Sequence, residues 1–126
     1  MAEVQKQLQA LSEEYQKLQQ DLQVNITSRQ KLESQQQENK AVQKEFEVLK
    51  KDANIYKMVG PVLLKQDKTE AVMAVNGRLE FIENEIKRME KLISDVEGKS
   101  DSVRQKIIQL QSEGQQQGGA RPQITA

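Results

Sequence analysis

The chain has 126 residues, 30% of them charged and only 3% aromatic, and its 19 Lys and Arg balance 19 Asp and Glu. So few apolar side chains rule out a large compact core, and zero net charge argues against binding to nucleic acid or to an anionic membrane, both of which need a basic excess. His, Cys and Trp are absent, which removes His/Cys metal sites, thiol chemistry, disulfides and histidine acid–base catalysis.

The N-terminus, MAEVQKQLQA, has neither a basic lead nor an apolar segment, so no signal peptide is expected there. Residues 1–56 contain no Gly and no Pro, and read as a first long helix. It opens with a heptad stripe, Val4, Leu8, Leu11, Tyr15, Leu18 and Leu22. The next positions in that frame are Asn25, Arg29, Leu32, Gln36, Asn39 and Gln43, of which only Leu32 is apolar. An apolar stripe returns at Val42, Phe46, Leu49, Ala53 and Tyr56, one flank shifted by a residue. At 1.5 Å per residue such a helix is a rod of about 80 Å.

Residues 57–78 form the connection. Val62-Leu63-Leu64 and Val72-Met73-Ala74-Val75 are two short apolar runs separated by Gln66-Asp67-Lys68-Thr69-Glu70, and this pattern predicts one β-hairpin. Asn76-Gly77 is then the strand exit and the start of the next helix. Both faces of the predicted hairpin are apolar: Val62, Leu64, Met73 and Val75 alternate with Leu63, Val72 and Ala74. A strand pair with one wet face would alternate apolar with polar. A lone hairpin is marginal in water, and its free edges invite pairing. Several such hairpins are therefore expected to join between subunits into a shared sheet or barrel, with Val62, Leu63, Leu64, Val72, Met73 and Val75 as the oligomerisation surface. Burying about five aliphatic side chains contributes on the order of 10 kcal/mol per subunit as an upper bound.

Residues 79–113 read as the second helix. Leu79, Ile82, Ile86, Met89, Ile93, Val96, Ser100, Val103, Ile107 and Leu110 alternate steps of three and four, a coiled-coil seam sustained over four heptads. Glu83–Lys87 and Asp95–Lys99 are i,i+4 pairs with the acid first, each worth a few tenths of a kcal/mol. Residues 114–126 are a Gln/Gly-rich tail expected to be disordered. The longest apolar run, Val59–Leu64, is broken by Gly60 and Pro61, far short of the ~18 residues of a membrane span.

The expected architecture is mainly α: a long antiparallel two-helix coiled coil joined by a single β-hairpin. Its seam is Leu18, Leu22, Phe46 and Leu49 against Leu79, Ile82, Ile86, Met89, Ile93 and Val96. With Ala53 beside Leu79, Leu110 falls near Leu22 and the first five turns of helix 1 overhang. The apolar residues of the two ends, Val4, Leu8, Leu11, Tyr15, Val103, Ile107, Ile108 and Leu110, then form a candidate binding surface; the same residues also fit plain seam packing. In mid-rod, Ile93, Val96 and Val103 face a polar stretch that either splays to grip a ligand or covers them with the stems of Arg29, Gln36 and the lysines. No carboxylate pair, phosphate loop or metal cluster stands out, so neither an enzyme nor a cofactor is expected.

Arg29-Gln30-Lys31-Leu32-Glu33, Glu38-Asn39, Tyr56-Lys57, Gly60-Pro61-Val62-Leu63, Lys65-Gln66, Glu70-Ala71, Arg78-Leu79 and Glu85-Ile86-Lys87-Arg88 resemble the β-type subunits of prefoldin, over about residues 5–112. The hairpin segment is the specific portion, since coiled-coil stretches match many proteins. The resemblance implies a hetero-hexamer of two α-type and four β-type chains, here two α-type and three further β-type partners. It also implies ATP-independent holding of unfolded actin and tubulin by coiled-coil tentacles, delivery to the group II chaperonin, and a cytoplasmic location. The competing reading is a structural or tethering coiled coil whose ends dock specific partners.

Overall fold

A computed structural model describes residues 2–119, with side chains described for residues 2–114. The order of elements is α1 (Ala2–Val48), β1 (Ile55–Val59), β2 (Val62–Gln66) and α2 (Lys68–Gly119). The chain forms two compact units, Met1–Thr27 with Lys91–Ala126, and Ser28–Glu90.

Helix α1 follows its heptad frame more regularly than its apolar residues do. Val4, Leu8, Leu11, Tyr15, Leu18 and Leu22 are half-buried, and so are Asn25, Arg29, Leu32, Gln36, Asn39, Gln43 and Phe46. The frame therefore does not shift near residue 42: Val42 is exposed and Gln43 takes the seam position. Three of these polar seam groups, Arg29, Asn39 and Gln43, find partners. The Asn39 amide donates to the Gln35 carbonyl at 2.7 Å. Arg29 reaches Glu33 at 2.6 Å and Glu90 at 3.1 Å.

The first helix was expected to reach residue 56 but ends at Val48. Lys50-Lys51-Asp52-Ala53-Asn54 is turn-forming, and the Ala53 amide donates to the Lys50 carbonyl at 3.0 Å. Ile55-Tyr56-Lys57-Met58-Val59, rich in β-branched and aromatic side chains, then becomes a strand. The hairpin is correspondingly displaced. β1 pairs antiparallel with β2, with Tyr56 opposite Lys65, Lys57 opposite Leu64, Met58 opposite Leu63 and Val59 opposite Val62. Gly60-Pro61 is thus a two-residue loop. Gly60 has φ of 59°, and Pro61 follows with φ fixed near −65°, the combination a type II′ turn uses.

Val72, Met73 and Val75, expected on the second strand, lie instead in α2. The cause is a helix start at Asp67. Its carboxylate accepts the Glu70 amide at 3.2 Å, and its carbonyl accepts the Ala71 amide at 3.0 Å. Asp67 and Glu70 stand at the spacing of a capping box. Val72 and Val75 continue the Leu79 frame upstream in steps of three and four, and Val75 is only 7% exposed. Asn76-Gly77 is inside the helix, so the segment boundaries 57–78 and 79–113 are replaced by β1, β2 and α2.

The residues expected on the α2 seam are all at least partly shielded from solvent. Ile82, Ile86, Ser100 and Val103 are buried, and Leu79, Met89, Ile93, Val96, Ile107 and Leu110 are half-buried. Leu18, Leu22 and Phe46 of α1 are half-buried, whereas Leu49 lies just beyond the helix end and is exposed. Glu83–Lys87 closes at 3.8 Å; Asp95 and Lys99 make no ion pair among the described residues. Helix α2 extends through Gly119, where a disordered tail was expected from 114; Gln, which dominates there, is a good helix former. The remainder of that tail, 120–126, lies outside the described residues.

Candidate assembly and client-binding surfaces

Three side-chain bonds fix how the helices pair. Within the first unit, the Gln19 amide donates to the buried Ser100 hydroxyl at 2.7 Å. Within the second, Arg29 binds Glu90 at 3.1 Å and the Gln43 amide donates to the Asn76 side-chain oxygen at 2.8 Å. In each unit the bonded residues lie on antiparallel stretches of α1 and α2. Their register replaces the one expected from the sequence. Because α2 starts at Lys68, the first turns of α1 do not overhang: Leu11 meets Leu110, not Leu22.

In the first unit these two leucines line a cleft of about 450 Å³ together with Gln7, Ala10, Lys106, Gln109 and Glu113. Of the expected end residues, Leu11 and Leu110 therefore come together at one concavity. Val4, Leu8, Tyr15 and Ile107 are half-buried along the seam. Ile108 is exposed on the outer face of α2. Val103 is corrected: at 4% exposure it is a core residue, because the heptad frame points it at α1. The polar residues around the cleft carry no apolar signal in the sequence; only the register places them there.

In the second unit the hairpin is apolar and open on both faces. Ile55, Lys57, Val59, Val62, Leu64 and Gln66 share one face, and Tyr56, Met58, Leu63 and Lys65 share the other. Met58 is 75% exposed and Leu63 62%; Tyr56, Val59, Val62 and Leu64 are each about half exposed. Among the described residues the sheet has these two strands, so each has an outer edge with no strand beside it. Val62, Leu63 and Leu64 stand where the sequence put them. Ile55, Tyr56, Met58 and Val59 were missed as their strand partners, although their side-chain types already signalled a strand.

Further along α2, Arg88 grips Glu85 through its Nε and Nη2 at 2.9–3.3 Å. The hydrogen bond holds the Glu85 carboxyl below its ordinary value and raises the Arg88 guanidinium. Arg88 is exposed and Glu85 half-buried, an ion pair at the protein surface. Among the described residues no cluster of Asp and Glu could hold a metal ion, and no helix is long and apolar enough to cross a membrane.

The family model described as Prefoldin subunit matches residues 9–114. Prefoldin subunit 6 of Mus musculus is 43% identical over 122 residues, covering 96% of each chain. Prefoldin subunit 6 of Saccharomyces cerevisiae is 44% identical over 111 residues, covering 88% of this chain and 97% of its own. The crystal structure of the prefoldin beta subunit from Thermococcus strain KS-1 superposes with a TM-score of 0.75 at 29% identity, over 80% of this chain and 89% of that one.

Proposed function

The chain belongs to the prefoldin family, and from that membership we propose that it is one β-type subunit of a hetero-hexameric, ATP-independent holdase. It assembles with other prefoldin subunits: two of α-type and three further of β-type complete the hexamer. Unfolded actin and tubulin are its clients, the group II chaperonin receives them, and the cytoplasm is where this happens.

One observation carries the reading: a two-stranded hairpin with apolar side chains exposed on both faces and both edges free. Such a hairpin is stable only when neighbouring strands cover it. Val59, Val62 and Leu64 on one face and Tyr56, Met58 and Leu63 on the other suit a closed sheet shared by several chains. The Leu11–Leu110 cleft is the client-binding element, with Ile108 and the half-buried Val4, Leu8, Tyr15 and Ile107 as further apolar surface. Each contact is weak, since only a few side chains take part. Several subunits holding one client raise its effective concentration at every other cleft, and avidity follows without any nucleotide. Release then needs only a competing surface on the chaperonin. Nothing in this mechanism requires bond chemistry.

The test is suppression of aggregation of denatured actin, without ATP, by the complex carrying Leu11→Ser and Leu110→Ser in this chain. The expected result is a native-mass complex with reduced protection. Full protection by that complex would refute the cleft as the client surface. Loss of the complex itself would refute the separation of roles between cleft and hairpin.

A further inference from the structure

The two strands, Ile-Tyr-Lys-Met-Val and Val-Leu-Leu-Lys-Gln, hold two charged residues, both cationic: Lys57 and Lys65. The register puts Lys57 on the face of Val59, Val62 and Leu64, and Lys65 on the face of Tyr56, Met58 and Leu63. Each apolar face thus carries one ammonium and no carboxylate. Neither lysine makes an ion pair among the described residues. Lys57 is also the midpoint of β1, whose outer edge is unpaired.

Two copies of β1 pairing edge to edge about a two-fold axis at that midpoint would set Lys57 directly opposite Lys57. Like charges directly opposite each other across strands are destabilising. A closed sheet built from this hairpin alone would gather ammonium groups on both faces with nothing to neutralise them, and an uncompensated buried charge is strongly unfavourable. Lysine on an exposed edge is a known device against self-pairing. We infer that Lys57 and Lys65 make the hairpin reject its own copy and select a partner strand carrying Asp or Glu opposite them. The inference rests on the reading that the hairpin is the assembly surface, and deepens it by stating the chemistry of the partner. The ammonium groups set which chain is accepted; the aliphatic and aromatic side chains supply the area buried.

The test uses the full-length chain without other subunits, at about 10 µM in low salt, with native mass as readout. The wild type alone and Lys57→Glu/Lys65→Glu alone are expected at single-chain mass. Their equimolar mixture is expected to give mixed oligomers that dissociate in ~0.5 M salt. The neutral variant Lys57→Met/Lys65→Met is expected to self-associate about thirtyfold more tightly than the wild type, the scale of relieving a buried uncompensated charge. Self-association of the wild type equal to that of the Met variant overturns the inference, as does a mixture that stays at single-chain mass. If the Glu variant loses its helical circular dichroism, the Met variant decides alone. Adding Leu64→Asp separates the two readings: mixed oligomers that persist with it refute the hairpin as assembly surface. Wild-type self-association that Leu64→Asp abolishes leaves the hairpin standing and removes the role of charge.

Discussion

Replacing Leu64 by Asp perturbs the hairpin without touching the helical seam. Leu64 is 51% exposed in the single chain, so about half of its side chain remains to be covered by neighbours. Full burial of a leucine is worth about 1.5–3 kcal/mol, and the remaining half therefore about 0.8–1.5 kcal/mol. The substituted carboxylate adds a desolvation penalty of several kcal/mol when the sheet closes over it. The expected loss is about 4 kcal/mol or more per incorporated subunit, on the order of a thousandfold in affinity. The assay is native mass of the complex reconstituted at micromolar concentration with the other subunits, alongside far-UV circular dichroism of the isolated variant. The hexamer should be lost while most helical signal survives, because Ile82, Ile86 and Val103 stay buried elsewhere. Leu63→Asp, on the opposite face, tells which face the assembly covers more fully: the more damaging variant marks it. Incorporation of Leu64→Asp with near wild-type affinity would refute the reasoning.

Three further outcomes follow from local geometry. Ser100→Ala removes the acceptor of the Gln19 amide; Gln19 is exposed and its amide turns to water, so stability should fall by only about 0.5 kcal/mol, read as a slightly lower urea midpoint, and Ser100→Val, which fills the buried seam position with an apolar side chain, should restore or exceed the wild type. Gly60→Ala meets no atom within 4 Å but forces an L side chain to φ near 59°, costing about 1–2 kcal/mol; reconstitution should shift to higher subunit concentration. Glu85 should titrate below its ordinary value in a carboxyl NMR titration, because Arg88 hydrogen-bonds its charged form, and Arg88→Ala should return it upward. Since the folded value is the depressed one, this pair's small contribution is present above the ordinary carboxylate value and lost as pH falls through the lowered one.

The second helix was readable because its seam is apolar at nine of ten positions, and all ten are at least half-buried. The first helix was harder. Arg29, Asn39 and Gln43 hold seam positions with side-chain hydrogen bonds, and Asn25 and Gln36 are half-buried there as well, none of which hydrophobic periodicity registers. The hairpin was found but misplaced. Val72-Met73-Ala74-Val75 looks like a strand by composition, yet Val72 and Val75 continue the frame of Leu79. The Asp67 cap decides for helix, and the strand that pairs with Val62–Gln66 is Ile55–Val59 instead. That shift moved the helix register and brought Leu11 to Leu110. The cleft between them depends on this long-range pairing, which local pattern alone does not supply. The two-sided apolar character of the hairpin survived the change of partner strand, and the assembly proposal rests on it.

Amide hydrogen exchange of β1 and β2 tests most directly whether this hairpin needs other chains to complete it. In the isolated chain the amides of Ile55–Val59 and Val62–Gln66 should exchange nearly as fast as in an unstructured peptide, and in the reconstituted complex they should slow by several orders of magnitude. Equal protection of these amides in the isolated chain and in the complex would contradict it.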